Sequence, residues 1–190
     1  VDIAKQQGRG DDALVAVRAA PALLGEGGKR VYFIAFTTPV QSRGLGGFMG
    51  NLAELTSSDG RFDITACGRT QDREEAGKPT KLITGPQDFL DRYQGFGFVE
   101  PETGRTRPEV WHAITISPNF PSVAQVIAEL YPQSGGKQLD GVIAMDVYAV
   151  AALLDITGPV RVAGLDQAIT SANAADYLLR QQYLANDNAE

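Results

Sequence analysis

The sequence predicts an α/β fold, read as a three-layer α/β/α sandwich around a mixed central sheet. Three observations predict it. Lys29 to Thr37 is one continuous β-branched, aromatic and apolar run, the pattern of a strand covered on both faces. Ser57-Ser58-Asp59-Gly60 is a hairpin-type turn in the first half of the chain. From Pro121 onward, segments of helical and of strand character alternate.

Element by element, the first ten residues, with Gly8 and Gly10, read as a tail or linker, and residues 11–190 as one α/β domain. Asp11 and Asp12 are candidate caps of a short helix bearing Leu14, Val15 and Val17 and ended by Pro21. Gly25 to Gly28 connect it to the first strand, which Pro39 ends. The glycine-dense segment Gly44 to Gly50 leads into a strand over Asn51 to Thr56, whose partner is Arg61 to Cys67. Residues 68–81 read as a polar loop, 86–93 as a short helix opened by Pro86, and Gly95 to Pro108 as a loop. Pro121 starts the most regular helix, with Val123, Val126, Ile127 and Leu130 on one face and Gly135-Gly136 at its end. Gly141 to Met145 is a short buried strand, Val147 to Leu154 an apolar helix stopped by Gly158-Pro159, and Val160 to Val162 a short strand. A last helix bearing Ala175, Leu178 and Leu179 is capped by Thr170 or Ser171.

Composition narrows the function classes. At 190 residues, 43% hydrophobic and 21% charged, the chain suits one domain with a substantial core. Its 17 basic and 23 acidic residues leave a net charge of −6 without a Lys/Arg-rich block, which argues against nucleic-acid binding. A single cysteine, Cys67, excludes an internal disulfide and a multi-thiolate metal site, and a single histidine, His112, excludes a His-rich cluster. No apolar run approaches the ~20 residues that cross a bilayer. The chain opens at Val1 without an initiator Met or a basic-then-apolar leader, as expected of a processed protein or an excised piece.

Few residues carry the pattern of a known chemistry. Gly44-Leu45-Gly46-Gly47-Phe48-Met49-Gly50 follows a strand, but a dinucleotide loop needs glycine at 49, and no Walker lysine follows. His112 has no partner of the kind nucleophilic catalysis needs, and Cys67, at a strand end, reads as an inert core thiol. Arginines stand out instead: Arg43 at the mouth of the glycine loop, Arg69 past the third strand, and Arg180 on the last helix, followed by Gln181 and Gln182. Fork-shaped guanidinium groups suit phosphate and carboxylate oxygens, and strand ends in open α/β sheets are where ligands bind. Asp146 at the end of its strand is either a helix cap or an acid, and Asp72 either a solvated loop charge or a metal ligand. No residue is assigned a catalytic role.

Three segments carry a resemblance. They are Arg30 to Ile34 with Ser42 to Gly50, then Ser117-Pro118-Asn119-Phe120-Pro121, then Leu139-Asp140-Gly141-Val142-Ile143-Ala144-Met145-Asp146 through Thr157-Gly158-Pro159-Val160. Together they resemble the bacterial envelope family known as domain of unknown function 4012, from about residue 14 to the end. In that family the domain continues past Glu190, so a C-terminally truncated domain is expected. The block from Asp140 to Val160 is more distantly similar to the LytR-CpsA-Psr phosphotransferases, which move glycopolymers from a polyprenyl-pyrophosphate carrier to the wall, usually with magnesium. That similarity implies a pyrophosphate site on Arg43, Arg69, Arg180 and Gln181 beside an apolar lipid groove. Two acids that serve the metal in those enzymes are absent, with Leu45 at one position and Thr37-Thr38 at the other. Magnesium is therefore implied by the resemblance and opposed by these residues. The expected function is an extracytoplasmic envelope domain that binds a polyprenyl-linked glycan and transfers it to the cell wall, its parent tethered to the membrane. The alternative is a non-catalytic scaffold for a protein or glycan partner.

Overall fold

The computed structural model describes residues 3–78, 81–93, 96 and 110–187, with side chains between 13 and 184. It shows a mixed α/β domain built on a four-stranded sheet in the order β3-β2-β1-β4. The strands are β1 (Arg30–Thr38), β2 (Phe48–Ser58), β3 (Arg61–Arg69) and β4 (Gly141–Asp146). β2 runs antiparallel to both β1 and β3, and β4 runs parallel to β1. The carboxyl ends of β1, β3 and β4 therefore share one end of the sheet with the start of β2.

Successive side chains of a strand point to opposite faces, and residues paired across strands share a face. On the first face, Phe33, Ala35 and Leu52 meet Val123, Val126 and Leu130 of α5 (Phe120–Gln133) in the main core. Trp111 of α4 (Val110–Ala113) stacks on Phe33 at 5.8 Å, and Tyr131 meets Phe33 edge-on at 5.0 Å. The Trp111 indole N–H donates to Ser134 Oγ at 3.0 Å, so this fully buried ring leaves no orphan donor.

Glu54 lies opposite Phe33 and so faces this core, at 3% exposure. Lys137 binds its Oε1, Thr65 Oγ1 donates to the same oxygen at 2.5 Å, and Tyr131 donates to Oε2 at 3.3 Å. Burial alone raises a carboxyl pKa; here the Lys137 and Thr65 hydrogen bonds, the Lys137 charge and the Tyr131 hydroxyl outweigh it and hold Glu54 below its ordinary value of 4.5. The Tyr131 phenol is pushed up to about 12, by burial first and then by the Glu54 charge.

The second face is covered unevenly. α6 (Val147–Thr157) lies over β4 and β1 and packs against α7 (Ala174–Asp176), which continues as a π-helical turn (Tyr177–Gln181) into α8 (Gln182–Asp187). Over β3 there is no such cover: Phe62 and Ile64 are each 54% exposed.

Several elements differ from the sequence reading. α1 (Ile3–Leu23) begins inside the stretch read as a tail and runs two residues past Pro21, which falls in its last turn and so forgoes one i→i−4 hydrogen bond. Its Leu14, Val15 and Val17 are exposed, so helical spacing there reports no buried face. Within the presumed 68–81 loop lies α2 (Thr70–Glu75), started by Asp72, whose carboxylate accepts the Arg69 N–H at 3.1 Å. α3 (Gln87–Tyr93) is the short helix expected after Pro86. Val160 makes only an isolated bridge to Ile169 instead of a strand. The last helix starts at Ala174, because Thr170 and Asn173 bind each other's N–H, at 3.2 and 2.7 Å. Cys67 is exposed, since its face of β3 is bare. The expected loop from Gly95 to Pro108 lies, apart from Phe96, outside the described residues.

The glycine segment between β1 and β2 has a packing role. A Cβ on Gly44 would stand 2.1 Å from the Ile116 carbonyl oxygen, and one on Gly47 would stand 2.4 Å from that of Thr38. The Leu45 N–H donates to Thr115 O at 3.0 Å, fastening the loop to the 3₁₀ turn Ile114–Ile116.

Two outcomes follow. Gly44→Ala lowers stability by about 2 kcal/mol, as forced overpacking does, while Gly50→Ala, whose Cβ would meet only the Phe48 ring at 3.6 Å, stays near neutral in thermal melts. Glu54, with its folded pKa depressed, contributes stability that is present above pH 4.5 and lost as pH falls through the folded value. Glu54→Gln is therefore destabilised at neutral pH, and its Tm difference from wild type narrows below pH 4.5.

Candidate ligand site at the strand ends

Where β1 and β4 end, the second face opens into a cavity of about 410 Å³. The β1–β4 register places Met145 beside Phe36 and Asp146 beside Thr37. Phe36, Phe48, Met145, Val147, Val150 and Leu178 supply its apolar walls. The polar lining comes from Thr37, Thr38, Gln41, Asn51, Asp146 and Gln182.

Asp146 shows how the local sequence builds this site. It ends β4 and is the N-cap of α6, its Oδ1 accepting the Ala149 N–H at 2.8 Å. The second carboxylate oxygen has no partner among the described residues. Turning from strand to helix at this residue leaves it on the cavity wall.

Two of the sequence-predicted arginines neighbour residues of the cavity wall without lining it themselves. The Arg43 guanidinium carbon lies 5.7 Å from the centroid of the Phe48 ring, a cavity wall. Arg69 ends β3 directly opposite Asn51, another wall residue, and so shares its face. Arg180 is placed otherwise. Its Nε and Nη2 bind both carboxylate oxygens of Asp176, at 2.8 and 3.0 Å, one helical turn away. Leu178 and Gln182 line the cavity, and Arg180, two residues from each, lies on the other side of the turn. Gln181 also donates to Asp176, at 2.5 Å, and faces a separate depression beside Tyr177. Hydrogen bonds from Arg180 and Gln181 hold the Asp176 carboxyl below its ordinary value. Asp72 is committed to starting α2.

Other contributors carried no signal in the sequence. Phe48 is at once the platform for Arg43 and a stacking partner for His112, at 5.7 Å. His112 Nδ1 lies 3.2 Å from Glu74 Oε1, which also accepts the His112 backbone N–H at 3.1 Å. Asn51 and Gln182 look like ordinary polar residues until the sheet register and the helix turn aim them at one space.

The donor set does not fit a magnesium site of the kind the distant resemblance implies. Leu45 packs against the core, Thr37 offers only a hydroxyl, and Asp146 has one oxygen engaged by the backbone. Among the described residues no three His, Cys, Asp or Glu side chains come together.

The cavity opens at the carboxyl ends of two parallel strands, the position at which open α/β sheets commonly bind ligands. The chain is a member of the family described as protein of unknown function (DUF4012), whose model matches residues 27–183. No curated protein matches it in sequence. No helix among the described residues is long and apolar enough to cross a membrane.

The cap role of Asp146 is separable from its charge. Asp146→Ala costs about 1 kcal/mol in chemical denaturation, whereas Asp146→Asn, whose amide oxygen still accepts the Ala149 N–H, stays within a few tenths of wild type.

Proposed function

We propose that this is an extracytoplasmic cell-envelope domain that binds a polyprenyl-(pyro)phosphate-linked glycan. One observation carries the reading: an apolar-walled cavity with a polar rim, with Arg43 on one wall residue and Arg69 opposite another. An amphiphile with an anionic centre matches that pairing. Arg43 and Arg69 take the phosphate oxygens by charge-assisted hydrogen bonds, and the cavity encloses the group attached to them. Helices on both sheet faces support a three-layer α/β/α arrangement like that of the LytR-CpsA-Psr enzymes, with the parent protein tethered to the membrane outside this domain. Arg180, held by Asp176, is not among the anion ligands in this reading.

Binding without transfer is favoured by the residues at the positions where those enzymes carry metal-binding acids. Leu45 is packed into the core, so the domain acts as a carrier or presenting module for a glycan or protein partner. Transfer to the cell wall would need a cation held elsewhere.

Titration calorimetry with farnesyl pyrophosphate tests this. Arg43→Ala and Arg69→Ala each weaken binding about tenfold, the scale of one hydrogen bond to a charged group, and Arg180→Ala leaves it unchanged. Equal affinity in wild type, Arg43→Ala and Arg69→Ala overturns the reading.

A further inference from the structure

The cavity lining says which end of such an amphiphile enters. Among the described residues that line it, Asp146 is the one carboxylate and there is no cation. Its Oδ2 is unpartnered, and the Asn51 side chain makes no hydrogen bond among the described residues. Gln182, a lining residue, donates to Leu178 O at 2.5 Å, which leaves its amide oxygen without a partner among the described residues. A prenyl chain pressed against these groups would strip water from a carboxylate oxygen and two amides and return no hydrogen bond. A free phosphate would meet the Asp146 charge at close range.

A pyranose ring satisfies the same lining. Its hydroxyls donate and accept at the ring edge, and its C–H face is apolar. Phe36, Phe48 and Met145 offer surface to that face, and Asp146, Asn51 and Gln182 offer partners to the edge. We propose, resting on the reading above, that the cavity holds the sugar next to the phosphate, one sugar hydroxyl donating to Asp146 Oδ2. The arginines then lie outside it on the phosphate, and the prenyl chain stays out of the cavity. Asp146 becomes a specificity-determining residue: an acceptor already fixed in place by its cap bond loses little freedom on binding.

The test compares farnesyl pyrophosphate with farnesyl diphosphate carrying a glucosyl, galactosyl or N-acetylglucosaminyl head, by calorimetry on the full chain. At least one sugar-bearing ligand binds about tenfold tighter than the bare pyrophosphate. Asp146→Asn removes that advantage with an unchanged Tm, Asn51→Ala reduces it severalfold, and Arg43→Ala weakens both kinds of ligand alike. No advantage for any sugar head, or an advantage that survives Asp146→Asn, overturns the assignment. In that case arginine-dependent binding of the bare pyrophosphate still upholds the proposed function. Loss of binding for every ligand overturns both.

Discussion

The register between β1 and β4 is the constraint on which the site depends. The two strands are parallel and separated by more than a hundred residues of chain, so no turn sets their alignment. Asp140 sets it. Its N–H donates to Val31 O at 2.7 Å, its Oδ2 accepts the Val31 N–H at 2.8 Å, and its Oδ1 binds Arg30 at 3.0 Å. Gly141 follows with no side chain, because the Tyr32 ring would stand 3.1 Å from any Cβ there. From that clamp onward the pairing leads to Met145 beside Phe36 and Asp146 beside Thr37. A slip of β4 by one residue would turn Met145 away from the face it shares with Phe36 and remove that wall of the cavity.

The two sheet faces divide the work. The first face is dry and close-packed, with Phe33, Trp111 and Tyr131 interlocked and α5 laid over them. The carboxylate buried in this core, Glu54, is tolerated because Thr65 and Tyr131 bond it and Lys137 reaches it from an exposed position. Among the described residues the second face is covered by α6 and the C-terminal helices over β1 and β4 and by the end of α1 at Tyr32, and it is open over β3. A cavity can exist there because the core on the opposite side supplies the stability that the site forgoes.

Some of this could be read in the sequence and some could not, for physical reasons. The apolar run of β1, the one-sided periodicity of α5 and the Asp59-Gly60 turn, with φ of 49° and 77°, are dictated by burial and backbone sterics, which composition records directly. α2 has no periodic apolar face and exists through one capping carboxylate, so its polar sequence resembles a loop. Val160 to Val162 has strand propensity but finds only Ile169 as a partner, since β-structure needs an edge to pair with. For the site, the arginines were visible and their fates were not. Loop and register set Arg43 and Arg69 next to the wall residues Phe48 and Asn51, while Arg180 is taken by an acid four residues back, a pairing common on helices. The cavity's own polar groups come from four separate elements, and only the tertiary fold makes neighbours of them.

The segments that carry the family resemblance act mainly as geometry. Gly44 admits the backbone of Ile116, Asn119 caps α5 by accepting the Ser122 N–H at 3.3 Å, Asp140 aligns two strands, and Asp146 caps α6. Two of them also place groups at the cavity: the Gly44 loop carries Arg43 and Phe48, and the Asp146 cap leaves one oxygen without a partner among the described residues. A residue that satisfies the backbone with one atom and meets a ligand with another is rigid without further support, and rigidity is what lets a single acceptor discriminate between ligands. The polar groups of the cavity therefore come with no dedicated motif, and the scarcity of recognisable chemistry in the sequence follows from a cavity lined by the fold's own fasteners.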